Sequence, residues 1–315
     1  MRPWLKRLGL GRALYYAWHW PRGAIAASRR AGGPLEQWRT ARGRSAMKAA
    51  AARLPAPAAA AGRPVELHLL TGGRFWYQTA FCLWSFARQA GRTLAPVIYS
   101  DGSLTAGQRA HLARLFPAAR FVAQAETLAR LDACLPAGRF PALRDRWIRY
   151  PHIRKLTDPH AGSSGWKLVV DSDLLFFHRP QFLLDWLDAP DRPLHAIDIE
   201  KSYGYSDALL AALARAPLPP LLNVGLCGLN GAELDWEWIE DCCRQLIAAE
   251  GTSYYLEQAL VALIVAGRAS AVAPAEDYLT LPRPPEALDC RAVMHHYVAD
   301  SKAWYFRRNW RVASR

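Results

Sequence analysis

Two carboxylates, Asp171 and Asp173, interrupt the otherwise apolar run "KLVVDSDLLFF" at residues 167–177. In an extended segment the side chains at i and i+2 project to the same side, so the pair converges, and like charges held that close call for a cation. A chain with 16 aspartates in 315 residues holds about one Asp-x-Asp by chance, so position carries more weight than motif. The pair follows Leu-Val-Val where a buried parallel strand would end, and open α/β sheets bind ligands at that end. Hard oxygen ligands of this kind suit Mg²⁺ or Mn²⁺ shared with substrate phosphates. A solvated strand end or a helix-capping aspartate is the plainer reading.

A second group of polar and aromatic side chains lies far along the chain in "MHHYVADSKAWYF", residues 294–306. Taken alone, His295 and His296 read as surface or core histidines more readily than as ligands. If one of them joins the aspartates, the mixed oxygen and nitrogen shell favours Mn²⁺ over Mg²⁺. Lys302 would then hold a phosphate as a point charge.

The elements that must position these residues alternate. "VELHLLT" (65–71) reads as a strand, "FWYQTAFCLWSFARQAG" (75–91) as a helix stopped by Gly91, and "LAPVIYS" (94–100) as a second strand. A turn at "DGS" leads to a helix over 105–116, a short strand at "ARFVAQ" and a helical stretch to about Ala133. A helical segment at 149–157 and a Gly/Ser turn at "AGSSG" precede the strand that carries the aspartates. This pattern predicts an α/β domain with a mostly parallel sheet and helices on both faces. No internal repeat is visible.

The net charge of +13 is unevenly placed: residues 1–64 hold 13 Lys or Arg and one acid, Glu36, leaving 27 basic and 26 acidic residues for the rest. The basic character therefore belongs to an N-terminal arm. Its first 30 residues mix Arg and Lys with Trp4, Tyr15, Tyr16, Trp18 and Trp20. That composition suits the headgroup layer of an anionic membrane, or packing on the domain or a partner protein; nucleic-acid binding is not expected. The Ala/Pro tract over 49–64 reads as a linker, which places the boundary near Arg63: an arm over 1–63 and a catalytic domain over 64–315. The six cysteines form no C-x-x-C pair, and no run is apolar enough to serve as a signal or to span a bilayer, so a reduced, cytoplasmic setting is expected, with peripheral attachment at the inner face of the membrane.

Five elements in order give the chain a resemblance. They are Arg154 in "HIRKL", the Asp-x-Asp, Asn223 and Gly225 in "LLNVGLCGLN", Glu257 and Gln258 in "YYLEQAL", and "HYVADSKAW" from His296 to Trp304. The chain resembles the GT-A-fold glycosyltransferases, most closely glycosyltransferase family 8, the group of glycogenin and the bacterial lipopolysaccharide galactosyltransferases, over most of residues 65–305. The resemblance implies a metal-dependent hexosyltransferase, retaining in stereochemistry, that uses a nucleotide-sugar, a UDP-sugar above all, and a glycan or lipid-linked acceptor. It makes Asp171, Asp173 and His296 ligands to Mn²⁺ (or Mg²⁺) and gives Lys302 to the diphosphate. Arg154 and Asn223 fall to the donor sugar or its phosphates, Glu257 and Gln258 to the sugar's reacting face, and Thr71 and Tyr77 to the nucleotide base. Asp198, in the loop candidate "IDIEKSYGYSDALL", is a possible sugar contact.

The chain departs from the family pattern in several places. "TGGRFWYQ" stands where the family has an acidic residue and an Asn before the Tyr, Ala299 and Ala303 replace Gly and Pro in the His motif, and Glu257 replaces Asp. Two other readings compete. A haloacid-dehalogenase-type phosphatase also runs a strand into Asp-x-Asp, but needs Thr or Val where Leu175 stands and has its motif at the start of the domain. A non-catalytic, membrane-associated nucleotide-sugar-binding protein would keep the fold and work through its arm.

Overall fold

The computed structural model describes residues 32–314 apart from positions 59 and 61. The basic, aromatic segment expected to meet a membrane, residues 1–30, lies outside the described residues.

In chain order the elements are α1 (Pro34–Ala51), β1 (His68–Thr71), α2 (Trp76–Ala90), β2 (Val97–Ser100), α3 (Ala106–Leu115), β3 (Arg120–Val122), α4 (Gln124–Cys134), α5 (Pro141–Arg149), α6 (Arg154–His160) and β4 (Trp166–Val170). Next come β5 (Leu174–Phe176), α7 (Gln181–Asp188), β6 (Leu194–Ile197), α8 (Asp207–Leu213), β7 (Leu222–Asn230), α9 (Trp236–Glu250) and α10 (Leu256–Ile264). The chain then forms β8 (Ala271–Val272), β9 (Tyr278–Thr280), α11 (Pro284–Asp289), β10 (Met294–His296) and a helical run over 302–313.

Local chemistry sets several of these ends. Gly91 takes the left-handed conformation at φ 61° and closes α2 with an N–H donated to Ala87, a stop that costs a glycine little. Thr105 and Gln108 form a reciprocal capping box that starts α3.

Seven strands form one sheet in the order β3-β2-β1-β4-β7-β6-β8. All neighbours are parallel except β4–β7 and β6–β7, so β7 is the one reversed strand. Chain order turns back beside β1, which opens a crevice beyond the C-terminal ends of β1 and β4. Two apolar clusters cover the sheet. One joins Leu67 and Leu69 before and in β1, and Leu168 and Val170 of β4, to α1, α2 and α7. The other joins Cys227 and Leu229 of β7 to α5, α6, α9 and α10. Eight of the nine β7 residues are buried, as a central strand covered on both faces requires. All six cysteines are free, and among the described residues no helix is long and apolar enough to cross a membrane.

Two expectations change. β4 ends at Val170, as Leu-Val-Val suggests, but the aspartates do not lie in an extended segment: a turn holds Asp171 to Asp173, and β5 leaves to join a second, three-stranded sheet in the order β5-β10-β9. The packed body also does not begin near Arg63. Gly43, Met47 and Ala51 make a buried stripe four residues apart along α1, and Met47, Ala51 and Leu54 join the first core. Gly43 is needed there because a Cβ would overlap the backbone of Phe306. Arg307 fixes the contact by donating from Nε to Thr40 Oγ1 at 2.8 Å and by pairing with Glu36. The Asp-x-Asp follows the fourth strand in chain order rather than the first, which goes against the phosphatase reading.

Candidate functional site

The turn after β4 explains how the two aspartates meet a histidine 123 to 125 residues away. Asp171 follows β4 and donates its N–H to Gly225 O at 2.9 Å, while Asp173 precedes β5. β5 pairs antiparallel with β10, Leu174 opposite His296, and Tyr297 N–H reaches Asp173 O at 3.1 Å. The pairing brings His296 to the turn. One ligand atom from each of Asp171, Asp173 and His296 lies within 4.8 Å of the others. Convergence thus comes from a turn and a strand pairing, not from the i and i+2 alternation of one extended strand.

His296 is 4% exposed, and neither ring nitrogen has a hydrogen-bond partner. Nε2 stands 3.5 Å from Asp171 Oδ2 and 3.4 Å from Asp173 Oδ1, long for hydrogen bonds but close enough to feel both charges. Burial alone would lower this imidazole, yet the two carboxylates outweigh it and raise the group to about 9. Burial would likewise raise both aspartates, but Lys155 and His296 hold Asp171 below the usual range, and His296 and Lys302 do the same for Asp173. An orphaned, buried imidazole nitrogen facing two carboxylates fits a divalent cation of the Mn²⁺ or Mg²⁺ kind.

Gly225 sets the room for that imidazole. A Cβ there would stand 2.5 Å from His296 Cε1 and Nδ1, closer than real carbon contacts allow. Gly225 N–H also donates to Asn223 Oδ1 at 2.9 Å, which ties the ring's neighbour to a second group. In that group Asn223 Nδ2 donates to Asp198 Oδ2 at 3.0 Å, and Gln258 Nε2 donates to the same oxygen at 3.2 Å and to Ser202 O at 2.9 Å. Asp198 Oδ1 accepts the Ile199 N–H at 2.9 Å. The structure therefore brings together Asp198, Asn223, Gly225, Gln258 and His296.

Lys155, which the sequence reading passed over, links the site's acids. Its Nζ lies 2.8 Å from Asp171 Oδ1 and 3.2 Å from Glu257 Oε2, and its side chain is 9% exposed. Opposite charges keep this lysine ionised despite burial, which alone would lower it. Burial raises Glu257 to about 7 against the pull of Lys155. The neighbouring Arg154 does something else: its Nε donates to Trp147 O at 2.9 Å, and its guanidinium lies over the Trp147 ring at 4.1 Å. Of these two neighbours, Lys155 is the one that pairs with Asp171, and Arg154 makes no ion pair with the site's acids among the described residues. Both follow Ile153 on one short helix, and nothing in "HIRKL" says which of two adjacent basic residues faces the crevice.

At the far side of the cluster Lys302 Nζ is 3.0 Å from Asp173 Oδ2, with its side chain 41% exposed. Just before it, Ala299 holds φ 44°, the left-handed region that favours glycine. Near β1, Thr71 Oγ1 is bonded to Thr79 Oγ1 at 2.7 Å and is buried. Tyr77 is 4% exposed, whereas Phe75, two residues earlier, is 41% exposed. Phe75 is thus the aromatic ring on this turn that a ligand can reach, and burial sets Thr71 and Tyr77 back into the core.

The architecture is the GT-A fold. A galactosyltransferase, LgtC, solved with donor and acceptor sugar analogues, matches with a TM-score of 0.51 at 12% sequence identity, over 79% of this chain and 95% of that one. Mouse xyloside xylosyltransferase 1, in its apo form, matches with a TM-score of 0.46 at 13% identity, over 75% of this chain and 99% of that one. No protein-family model matches the chain, and no curated protein sequence does.

Proposed function

We propose that this chain is a glycosyltransferase that takes a sugar from a nucleoside-diphosphate donor and passes it to a glycan or lipid-linked acceptor. The observation that carries this reading is the convergence of Asp171, Asp173 and His296 beside Lys302 at the C-terminal end of β4. The three ligands would hold Mn²⁺ or Mg²⁺, which, when bound, offsets charge on the departing diphosphate. Lys302 is half-exposed, so it can leave Asp173 for a phosphate oxygen and add a charge-assisted hydrogen bond there.

Gln258 is held rigid by two hydrogen bonds from its Nε2, which leaves its carbonyl oxygen to steady positive charge at the sugar carbon. Glu257 keeps Lys155 in place between the reacting face and the metal site. Neither acid in this part of the site is a ready base for an acceptor hydroxyl. Glu257 is paired with Lys155, and Asp198 accepts three N–H donors. Transfer with retention, in which the leaving phosphate takes the acceptor proton, is the outcome the site supports best.

The exposed Leu35 and Trp38 of α1, with Arg42 over the Trp38 ring at 5.4 Å, extend the basic, aromatic composition of the arm and support peripheral contact with an anionic membrane surface. Calorimetry with UDP-, GDP- and dTDP-sugars, with and without Mn²⁺, tests the main reading. Mn²⁺-dependent binding and slow donor hydrolysis are expected; neither binding nor hydrolysis across the panel would overturn it.

A further inference from the structure

At the edge of the seven-stranded sheet, where β6 meets β8, lies a cavity of about 590 Å³, a size within the range of small-molecule sites. Its lining is mostly apolar: Ile197 of β6, Leu218, and Val265 at the end of α10, the last 3% exposed. Pro217, Pro219 and Pro220 supply a stretch of backbone with little freedom. Gly267 donates its N–H to Pro217 O at 3.1 Å and ties that stretch to the opposite side of the cavity. It holds φ 70°, and a Cβ there would stand 2.4 Å from the Ala216 Cβ, so only glycine closes the frame at this point.

One buried polar group is built into this lining. His195 sits where the register of β6 on β7 shifts, between His195 and Ala196, an irregularity of the kind that re-aims a side chain. The ring lines the cavity and is 5% exposed. Nδ1–H donates to Ala196 O at 2.9 Å, so Nε2 carries the lone pair, and it accepts no hydrogen bond among the described residues. Burial lowers the ring below its ordinary value, which keeps it neutral. Arg268, the one charged side chain in the lining, is paired with Glu233, and Ser270 adds a hydroxyl. An anion would have to displace Glu233, and a cation would meet no acid in the lining, so burial of either goes uncompensated.

We propose that this cavity binds a neutral, hydrocarbon-rich molecule that donates one O–H or N–H to His195 Nε2. Such a guest satisfies the buried nitrogen, while Ile197, Leu218 and Val265 cover its hydrocarbon. The cavity shares three segments with the group around Asp198. Ile197 precedes Asp198; Leu221, also in the lining, accepts the Asp198 N–H at 2.8 Å and stands two residues before Asn223; and the helix that carries Gln258 ends beside Val265. A bound guest therefore braces the elements that hold Asp198, Asn223 and Gln258.

The test titrates the full chain by calorimetry with n-octanol, with its isomer heptyl methyl ether, which has the same size but no donor, and with octanoate. Octanol is expected to saturate one site per chain. The ether should bind about three- to tenfold more weakly, the loss of one neutral hydrogen bond, and octanoate more weakly still. His195→Phe should bring octanol down to the level of the ether. Val272→Trp, from a rim position that is 39% exposed, should weaken both about tenfold by covering the mouth. Cooperative thermal unfolding of each variant shows that its fold is intact, and the ranking of the three probes on the natural sequence decides the chemistry without any variant. Octanol that fails to saturate a site, or that binds no better than the ether or octanoate, overturns the proposal. So does octanol affinity unchanged in both variants. Neither result bears on the metal site or on the transferase reading.

Discussion

Buried histidines at the two ends of the sheet's strands are treated in opposite ways. His68, at the start of β1, is 2% exposed, and both of its nitrogens are satisfied: Nε2–H donates to Glu66 at 2.7 Å, and Nδ1 accepts from the Tyr99 hydroxyl at 3.1 Å. Burial lowers it, so it stays neutral. His296, near the C-terminal ends of β1 and β4, is as deeply buried, has no hydrogen-bond partner and faces two carboxylates. His160 is a third case. Its nitrogens are also unpartnered, but no carboxylate acts on it, and burial lowers it to about 3. An orphaned nitrogen by itself therefore marks only an apolar surrounding; orphaned and opposed by two acids, it marks a ligand position.

The contrast breaks by the widest margin at the aspartates. Asp171→Ala should remove Mn²⁺-dependent binding of UDP-sugars altogether in calorimetry; if binding survives, the C-terminal end of the sheet is not a metal site. Next comes Lys155→Met, which leaves the carboxylates of Asp171 and Glu257 buried without their cation. A loss of about 3–5 kcal/mol in the unfolding free energy from denaturant titration is expected, part of it restored by Mn²⁺. At the other end, His68→Leu strands the Tyr99 hydroxyl and should cost about 1–3 kcal/mol with Mn²⁺ affinity unaltered; a fall in Mn²⁺ affinity would erase the distinction between the two ends.

Smaller effects sharpen the same contrast. Gly225→Ala pushes on the His296 ring and should weaken Mn²⁺ about tenfold, with an overpacking loss of about 1–3 kcal/mol in unfolding free energy. The mildest effect is on pH dependence. Without metal, His296 sits at about 9 against an ordinary 6.5. The folded value is the higher, so its charge stabilises the metal-free fold fully below about 6.5, and that contribution is lost as pH rises through about 9. Mn²⁺ needs the neutral ring, so its affinity should climb across the same window with release of a proton. Calorimetry in buffers of different ionisation enthalpy measures that proton, and no release near neutral pH would remove His296 from the ligand set.

The alternation of strands and helices was legible because each element carries its own period and its own stops, as Gly91 and the Thr105 box show. The two aspartates were legible because charge is conspicuous in an apolar run, whereas His296 and Lys302 join them only through the resemblance, since the adjacent histidines read by themselves as core or surface residues. Three features were not. α1 reads as arm because its buried face consists of Gly43, Met47 and Ala51, of which only Met47 is large and apolar, so almost no apolar periodicity shows. Lys155 hid beside Arg154, since helix orientation, not residue type, decides which one meets Asp171. Asp101 reads as a turn residue in "DGS", and only the pairing of β1 with β2 shows its carboxylate packed against Gly72.

The clasp between α1 and Arg307 has a consequence for biosynthesis. Glu36 and Arg307 are 271 residues apart, so the helix made early lacks its Phe306–Arg307 partner until that segment has left the ribosome. At usual elongation rates the wait is on the order of 10–50 s. During that time the Thr40 and Gly43 side of the helix is open to chaperones or to the same face of another nascent chain, and a chain cut short before residue 305 would carry that side uncovered throughout its lifetime.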